Sequence, residues 1–128
     1  MPITQYVNRR YLSEIASRVN DRVQHIILQY RGDLDAQLLE LSDYIIIKAS
    51  SNVFQSQDLN NILAKHQVDE VIITGFNAEY CCLFIAVVGI DRGYKITYIE
   101  DATASVNNGD TYEMLGLDIV DFVGCILD

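Results

Sequence analysis

The chain has 128 residues, half of them apolar, a length that predicts one domain able to bury its own core. Its formal charge is −9 and its isoelectric point about 4.4, which argues against nucleic acid as a partner, because phosphate binding needs clustered Lys and Arg. No apolar run reaches 18 residues and no signal-peptide pattern is present, so neither membrane insertion nor export is expected.

Arg9, Arg10, Arg18, Arg22 and Arg31 lie early, and no Lys or Arg follows Lys95. A solvated basic helix and an acidic C-terminal surface account for that asymmetry. Tyr11, Ile15, Val19 and Val23, spaced by four, predict one face of a first helix. A strand over His25–Tyr30 and a short helix over Leu34–Leu41 follow. Tyr44–Lys48 reads as a strand with three consecutive isoleucines. Asp58–His66 reads as a helix with Ser56 as its N-cap. Glu70–Thr74 is a predicted strand, with Val71-Ile72-Ile73 buried. Cys81–Arg92 is a predicted helix, buried from Leu83 to Ile90 and ended at Gly93, which suits a left-handed cap. A strand over Tyr94–Ile99, a helix over Tyr112–Val123 and a short last strand over Cys125–Leu127 complete the reading. Alternating strands and helices predict an α/β fold, because parallel neighbours need crossover connections. Continuous apolar strands agree, since both faces of such a sheet are covered.

The three cysteines are Cys81, Cys82 and Cys125. An odd count with an adjacent pair does not fit a secreted disulfide framework, so reduced cytoplasmic thiols are expected. No Cys or His spacing suits a zinc site, with His25 and His66 the only histidines, and no cofactor is expected.

Two reactive groups fall at the carboxyl ends of predicted strands, where open parallel sheets bind ligands. Cys81 follows the Gly75-containing turn and precedes a helix, whose first-turn N–H groups favour a thiolate. Its alternative is a small buried hydrophobe. Lys48 closes Ile45-Ile46-Ile47; it either lowers a nearby thiol's pKa by its charge or snorkels to water. Cys82, one residue on, reads as core.

Lys48-Ala49-Ser50-Ser51-Asn52-Val53-Phe54, Asp58-Leu59, Thr74-Gly75-Phe76-Asn77-Ala78-Glu79-Tyr80-Cys81, Asp91-Arg92-Gly93-Tyr94 and Glu100-Asp101-Ala102-Thr103 together resemble the isochorismatase-like cysteine hydrolases, a family that includes nicotinamidases. The resemblance is strongest from about Ile45 to Ser105. It implies a three-layer α/β/α fold, Rossmann-like, with five or six mainly parallel strands. It implies Cys81 as a nucleophile attacking a carbonyl carbon and Lys48 as the cation of an Asp–Lys–Cys triad. Phe76–Asn77 matches the family's cis-peptide position, with the N–H groups of Asn77 and Cys81 forming an oxyanion hole. Phe54 either packs beside the substrate or serves the core.

The family's triad Asp, at the end of its first strand, has no match here, and the chain reads as starting after that strand. Loss of an interior strand leaves a gap that residues 2–7, a closing of ranks or another chain must fill, so a homo-oligomer is expected. Asp21, Asp33 and Glu79 are acids away from the matching position. Glu79 reads as structural and Asp33 as a turn residue or a crevice acid. The nicotinamidase metal pattern, Asp-x-His plus a further His, also has no counterpart. Three functions follow: a cysteine hydrolase of a small amide or related carbonyl compound; a hydrolase-derived binding or oligomerisation module without catalysis; and a redox protein using Cys81 and Cys82.

Overall fold

Isoleucine- and valine-rich runs form the strands, because β-branched side chains pack well on a pleated surface. In the computed structural model, residues 26–29, 36–47, 50, 52–75 and 77–128 are described. The predicted first helix, residues 2–7, Asp21, His25, Asp33, Lys48 and Phe76 lie outside the described residues.

Strand β1 (Ile26–Gln29) pairs in parallel with β2 (Tyr44–Ile47), Ile26 opposite Tyr44 and Gln29 opposite Ile47. Helix α1 (Ala36–Leu41) lies between them in sequence. Strand β3 (Glu70–Gly75) pairs in parallel with β4 (Lys95–Thr103), Glu70 opposite Lys95 and Ile73 opposite Tyr98. Among the described residues no ladder joins the two pairs. They nonetheless share one core, in which Ile46 of β2 and Ile73 of β3 meet Leu59, Leu63, Cys82, Ile85 and Ala86. This is the expected α/β/α class with parallel strands.

Helix α2 (Gln57–Lys65) starts where expected. Ser56 Oγ accepts from the Leu59 N–H at 3.3 Å, satisfying one of the helix's orphan donors. Leu59 and Leu63, one turn apart, are its buried stripe. Helix α3 (Leu83–Asp91) is apolar almost all round and packs on β3 and β4. It stops at Gly93, whose φ of 93° needs glycine. No helix among the described residues is long and apolar enough to cross a membrane.

The C-terminal elements differ from expectation. The segment predicted as a helix from Tyr112 begins with a 3₁₀ turn (Gly109–Tyr112) and then breaks, with Glu113 and Gly116 at φ of 57° and 78°. Helix α4 starts only at Ile119 and runs to Leu127. Its N-cap is Asp118, whose carboxylate accepts from the Asp121 N–H at 3.2 Å. The predicted last strand, Cys125–Leu127, is thus the final turn of α4. Left-handed residues end one helix and the new cap starts another, and apolar content alone does not show either. The run Leu83–Ile90, expected to be buried, also departs. Phe84, Val87 and Ile90 are 46%, 49% and 52% exposed.

Strand β4 carries an irregularity beyond Tyr98, where residues 99–102 bulge before Thr103 comes opposite Gly75. Thr103 Oγ1 closes the bulge by donating to the Ile99 carbonyl at 2.6 Å. Tyr98 ties β4 to α4, its hydroxyl donating to the Val120 carbonyl at 3.0 Å. Burial, then the neighbouring Cys82 and Glu100, hold its phenol above the ordinary tyrosine range. A raised folded pKa gives stability that is complete below the unfolded value of about 10 and is lost as pH rises toward the folded one. Urea midpoints measured from pH 8 to 11 should therefore fall above pH 10, and Tyr98→Phe should flatten that fall while weakening the protein at pH 8.

Candidate functional site

The hand-over from β3 to α3 builds the site. Gly75 closes β3 at φ 107°, a value that a β-carbon would strain. The chain then enters a π-helical turn, Ala78–Cys82, continuous with α3. The backbone carbonyl of Asn77 accepts from the N–H groups of Tyr80 and Cys82, both at 3.2 Å. Cys81 therefore lies inside the first turn of a longer coil, not at the first residue of a regular helix as expected. That turn is the positive end of the helix dipole.

The segment after β4 clamps the turn on both sides. The Ala104 N–H donates to the Gly75 carbonyl, and the Ala78 N–H to the Ala104 carbonyl, both at 2.9 Å. Asn77, buried, accepts from the Val106 N–H through its side-chain oxygen at 2.9 Å. These bonds fix the peptide plane after Asn77 and leave the turn little freedom. Core packing finishes the job, with Ala78 against Ile119 and Val123 of α4.

The two adjacent sulfurs have different surroundings. Cys82 belongs to the main core with Ile73, Ile85 and Ala86. Cys81 is equally buried, at 2% exposure, but is not part of that cluster. No disulfide joins Cys81, Cys82 or Cys125, and Cys125 is exposed.

Glu79 is held by the segment after β4. Its carboxylate accepts from Ser105 Oγ, 2.8 Å from both oxygens, from Asn107 Nδ2 at 3.4 Å and from the Tyr112 hydroxyl at 3.0 Å. The Tyr112 and Tyr80 hydroxyls lie 3.2 Å apart. The Tyr80 hydrogen bond, then desolvation and the Glu79 charge, hold the Tyr112 phenol above its ordinary range. Sequence reasoning missed Ser105, Asn107 and Tyr112. The available signal was Asn107-Asn108-Gly109-Asp110, a turn-forming run that brings the chain back toward Tyr80.

Phe54 sits in the core at 2% exposure, its ring stacked on Tyr94 with centroids 5.9 Å apart. The Arg92 guanidinium lies 5.2 Å over the same ring. Its backbone is also held, with the N–H donating to Asn52 Oδ1 at 3.1 Å and the carbonyl accepting from Asn60 Nδ2 at 2.9 Å. Lys48 and Phe76 lie outside the described residues.

The described residues do not fit the nicotinamidase-type metal. His66 follows α2, at the amino end of β3, whereas Cys81 follows its carboxyl end. Six strand residues separate those ends by roughly 20 Å. The His66 Nε2 lies 2.8 Å from the Tyr44 hydroxyl, and no cluster of three metal-ligating side chains occurs among the described residues. A shallow cleft of about 320 Å³ opens nearby, between the end of β4 and the start of α4. Its walls include Ser105, Asn107, Asp118 and Val120, but not Cys81.

Comparison with known proteins agrees with this architecture. The isochorismatase domain model matches residues 28–119. Nicotinamidase of Saccharomyces cerevisiae is 38% identical over 55 residues, 43% of this chain and 26% of that protein. An uncharacterised isochorismatase family protein of Bacillus subtilis is 36% identical over 69 residues, 54% of this chain and 38% of that protein. The matches thus span well under half the length of these relatives. The crystal structure of an isochorismatase-like hydrolase from Alkaliphilus metalliredigens superposes with a TM-score of 0.70 at 21% identity, covering 92% of this chain and 70% of that one. At that identity it speaks for the fold.

Proposed function

We propose that this chain, which belongs to the isochorismatase family, is a cysteine hydrolase that cleaves a small amide or a related carbonyl compound. The observation that carries the reading is the seat of Cys81. It lies past the carboxyl end of β3, in the first turn of a continuous coil, and outside the main core that takes Cys82.

In this reading Cys81 Sγ forms a bond to the carbonyl carbon, and the carbonyl π electrons move to oxygen. The N–H groups of Asn77 and Cys81 receive that oxyanion, an arrangement worth ~3 kcal/mol per well-placed donor. In this reading Lys48 supplies the positive charge that the family resemblance assigns to it. The tetrahedral intermediate collapses by breaking the C–N bond, and the leaving nitrogen takes the proton the thiol gave up. Water then hydrolyses the thioester, releasing the acid and regenerating Cys81. The proton carrier must be a carboxylate. Glu79 is committed to Ser105, Asn107 and Tyr112, so the acid comes from another carboxylate of the chain or from a neighbouring subunit. Nicotinamide is disfavoured as the substrate, because His66 is placed away from Cys81 and bonded to Tyr44.

Purified protein should release ammonia or amine from at least one compound in a panel of small primary amides and esters. Lys48→Met should lower kcat/KM by roughly 10²-fold or more. Absence of turnover across the panel at micromolar enzyme, with Cys81 intact by mass spectrometry, would overturn the reading. The engagement of Glu79 by the 105–112 segment favours the second reading, a non-catalytic binding or oligomerisation module of the same family. That module keeps its stability and ligand binding in Cys81→Ala.

A further inference from the structure

The bonds that take Glu79 out of proton transfer give it another task in the hydrolase reading, on which this inference rests. Glu79 lies midway between Asn77 and Cys81, the two residues whose N–H groups would receive the oxyanion. Its backbone belongs to the turn that carries those N–H groups, and its side chain reaches out to the segment after β4.

That segment is folded on itself. The Asn108 side-chain oxygen accepts from the N–H groups of Asp110 and Thr111 at 3.0 and 3.3 Å, and the Thr111 hydroxyl accepts from the Asn108 N–H at 3.3 Å. The Met114 N–H donates to the Gly109 carbonyl at 2.8 Å, and a β-carbon at position 109 would collide with the Met114 carbonyl oxygen. Yet its large apolar side chains bury little. Val106, Met114 and Leu115 are 53%, 53% and 87% exposed. Apolar burial contributes roughly in proportion to the area removed from water, so these side chains do little to hold the segment in place. Polar bonds to the turn take over that task, and three of their donors converge on one carboxylate. Glu79 accepts from Ser105 Oγ, Asn107 Nδ2 and the Tyr112 hydroxyl, which come from both ends of the segment. The donors are also tied to one another. Ser105 Oγ accepts from the Asn107 N–H at 3.0 Å, and Asn107 Nδ2 donates to the Tyr112 hydroxyl at 3.3 Å.

We infer that Glu79 is a positioning residue for the hydrolysis. Its carboxylate locks the 105–112 segment onto the Cys81 turn, and the lock holds the N–H groups of Asn77 and Cys81 where the oxyanion needs them. Hydrogen bonds to a carboxylate are roughly twice as strong as neutral ones, which suits it to gather three neutral donors. Two further bonds depend on the segment staying in place, from the Ala78 N–H to the Ala104 carbonyl and from the Val106 N–H to Asn77 Oδ1. Both grip the peptide units that flank the proposed oxyanion pocket. Backbone donors stabilise a developing charge only when they are fixed beforehand, and a misplacement of about 1 Å can cost ~10²-fold in rate. Glu79 thus acts on the rate through the segment it holds.

Steady-state kinetics on the amide that wild type cleaves best should give Glu79→Ala a kcat roughly 30–100-fold lower, with KM within about threefold. Glu79→Gln keeps the side-chain length and one acceptor oxygen, so its kcat should recover to within about tenfold of wild type. Ser105→Ala combined with Tyr112→Phe leaves Glu79 and removes two of its donors, and should reproduce most of the Glu79→Ala loss. Adding Glu79→Ala to that pair should cost no more than about threefold further, as expected of residues that act as one unit. Losses that multiply would show that Glu79 acts independently of the segment, and they overturn the inference. So does a Glu79→Ala kcat within about threefold of an active wild type, or a loss of kcat that only matches the loss of folded protein by circular dichroism. Hydrogen exchange supplies a readout that needs no substrate. Glu79→Ala should speed exchange at the Ala78 and Val106 amides by about tenfold or more and leave the amides of α2 unchanged. Unchanged exchange at those two amides overturns the inference whatever the kinetics. A wild type inert toward the whole amide and ester panel overturns the hydrolase reading itself and takes the positioning role with it, whereas an active wild type with an unaffected Glu79→Ala variant overturns this inference alone.

Discussion

Phe54→Ala should lower the unfolding free energy by about 3–5 kcal/mol, the usual cost of deleting a buried aromatic ring. Few other single truncations in this chain reach so far. The ring is fully enclosed in the main core, stacked on Tyr94 and covered by Arg92. Gly89 of α3 also lies against it, since a β-carbon there would come within 3.5 Å of the ring tip. Removing it opens a cavity between the turn at Val53–Gln55 and α3, and it leaves the Arg92 guanidinium without its aromatic face. Against a total of about 5–15 kcal/mol for a domain, the loss is a large fraction. The melting temperature should fall by about 10–20 °C. Phe54→Leu, which keeps most of the volume, should cost about 1.5 kcal/mol or less. The sequence left two readings for this side chain, and the pair of variants separates them. A core role moves stability and leaves KM unchanged in the folded fraction. A substrate-contact role raises KM with little change in the urea midpoint.

What the sequence made legible was local chemistry. Ser56 announced α2 because a hydroxyl before an apolar stripe is a cap wherever it occurs. Gly75 and Gly93 marked turns because their backbone angles exclude other residues at little local cost. The triplet Ile45-Ile46-Ile47 and Val71-Ile72-Ile73 gave β2 and most of β3. Failure came where two local signals competed. Cys125–Leu127, set off by Gly124, resembles a short strand, but the helix that the Asp118 carboxylate starts at Ile119 runs through it, and α4 packs as one against Ala78. Gly124 is tolerated there because Glu100, projecting from the bulge in β4, occupies the space a β-carbon would take. That is a tertiary fact, and no window of α4 alone contains it.

The site divides along the same line. That a thiol follows a strand and a Gly turn was visible. The π-helical turn was not, because its defining bond joins Asn77 to Cys82 and has no residue preference of its own. Nor was the clamp from Ala104 and Val106, which depends on β4 returning beside β3. The expected interruption in the sheet turns on residues 2–7, which lie outside the described residues. The pairs β1–β2 and β3–β4 are unjoined among the described residues, although Ile46 and Ile73 belong to one core. Packing holds the halves together there, and hydrogen bonding holds each half.

The two adjacent cysteines allow the sharpest test of the chemistry, because one substitution type is made at neighbouring positions with opposite expected results. Cys81→Ala should reduce kcat by at least ~10⁴-fold, about 5.5 kcal/mol of transition-state stabilisation, since no neighbouring group can replace the sulfur's bond to carbon. Its cost in stability should be only ~1 kcal/mol, because a small buried group is lost from outside the main core. Cys82→Ala should do the reverse. Its sulfur packs with Ile73, Ile85 and Ala86, so the urea midpoint falls by a free energy of about 1–2 kcal/mol. Its kcat should stay within about threefold of wild type, because the backbone carbonyl of Asn77 still accepts from the N–H at position 82. Steady-state kinetics and urea melts on both variants, made in a Cys125→Ser background to remove the exposed thiol, read the two axes separately. Activity that survives Cys81→Ala and disappears in Cys82→Ala would reassign the nucleophile to the core-facing sulfur. Activity lost equally in both, with equal loss of stability, would mean that the turn is only structural and that the sulfur at 81 has no chemistry of its own.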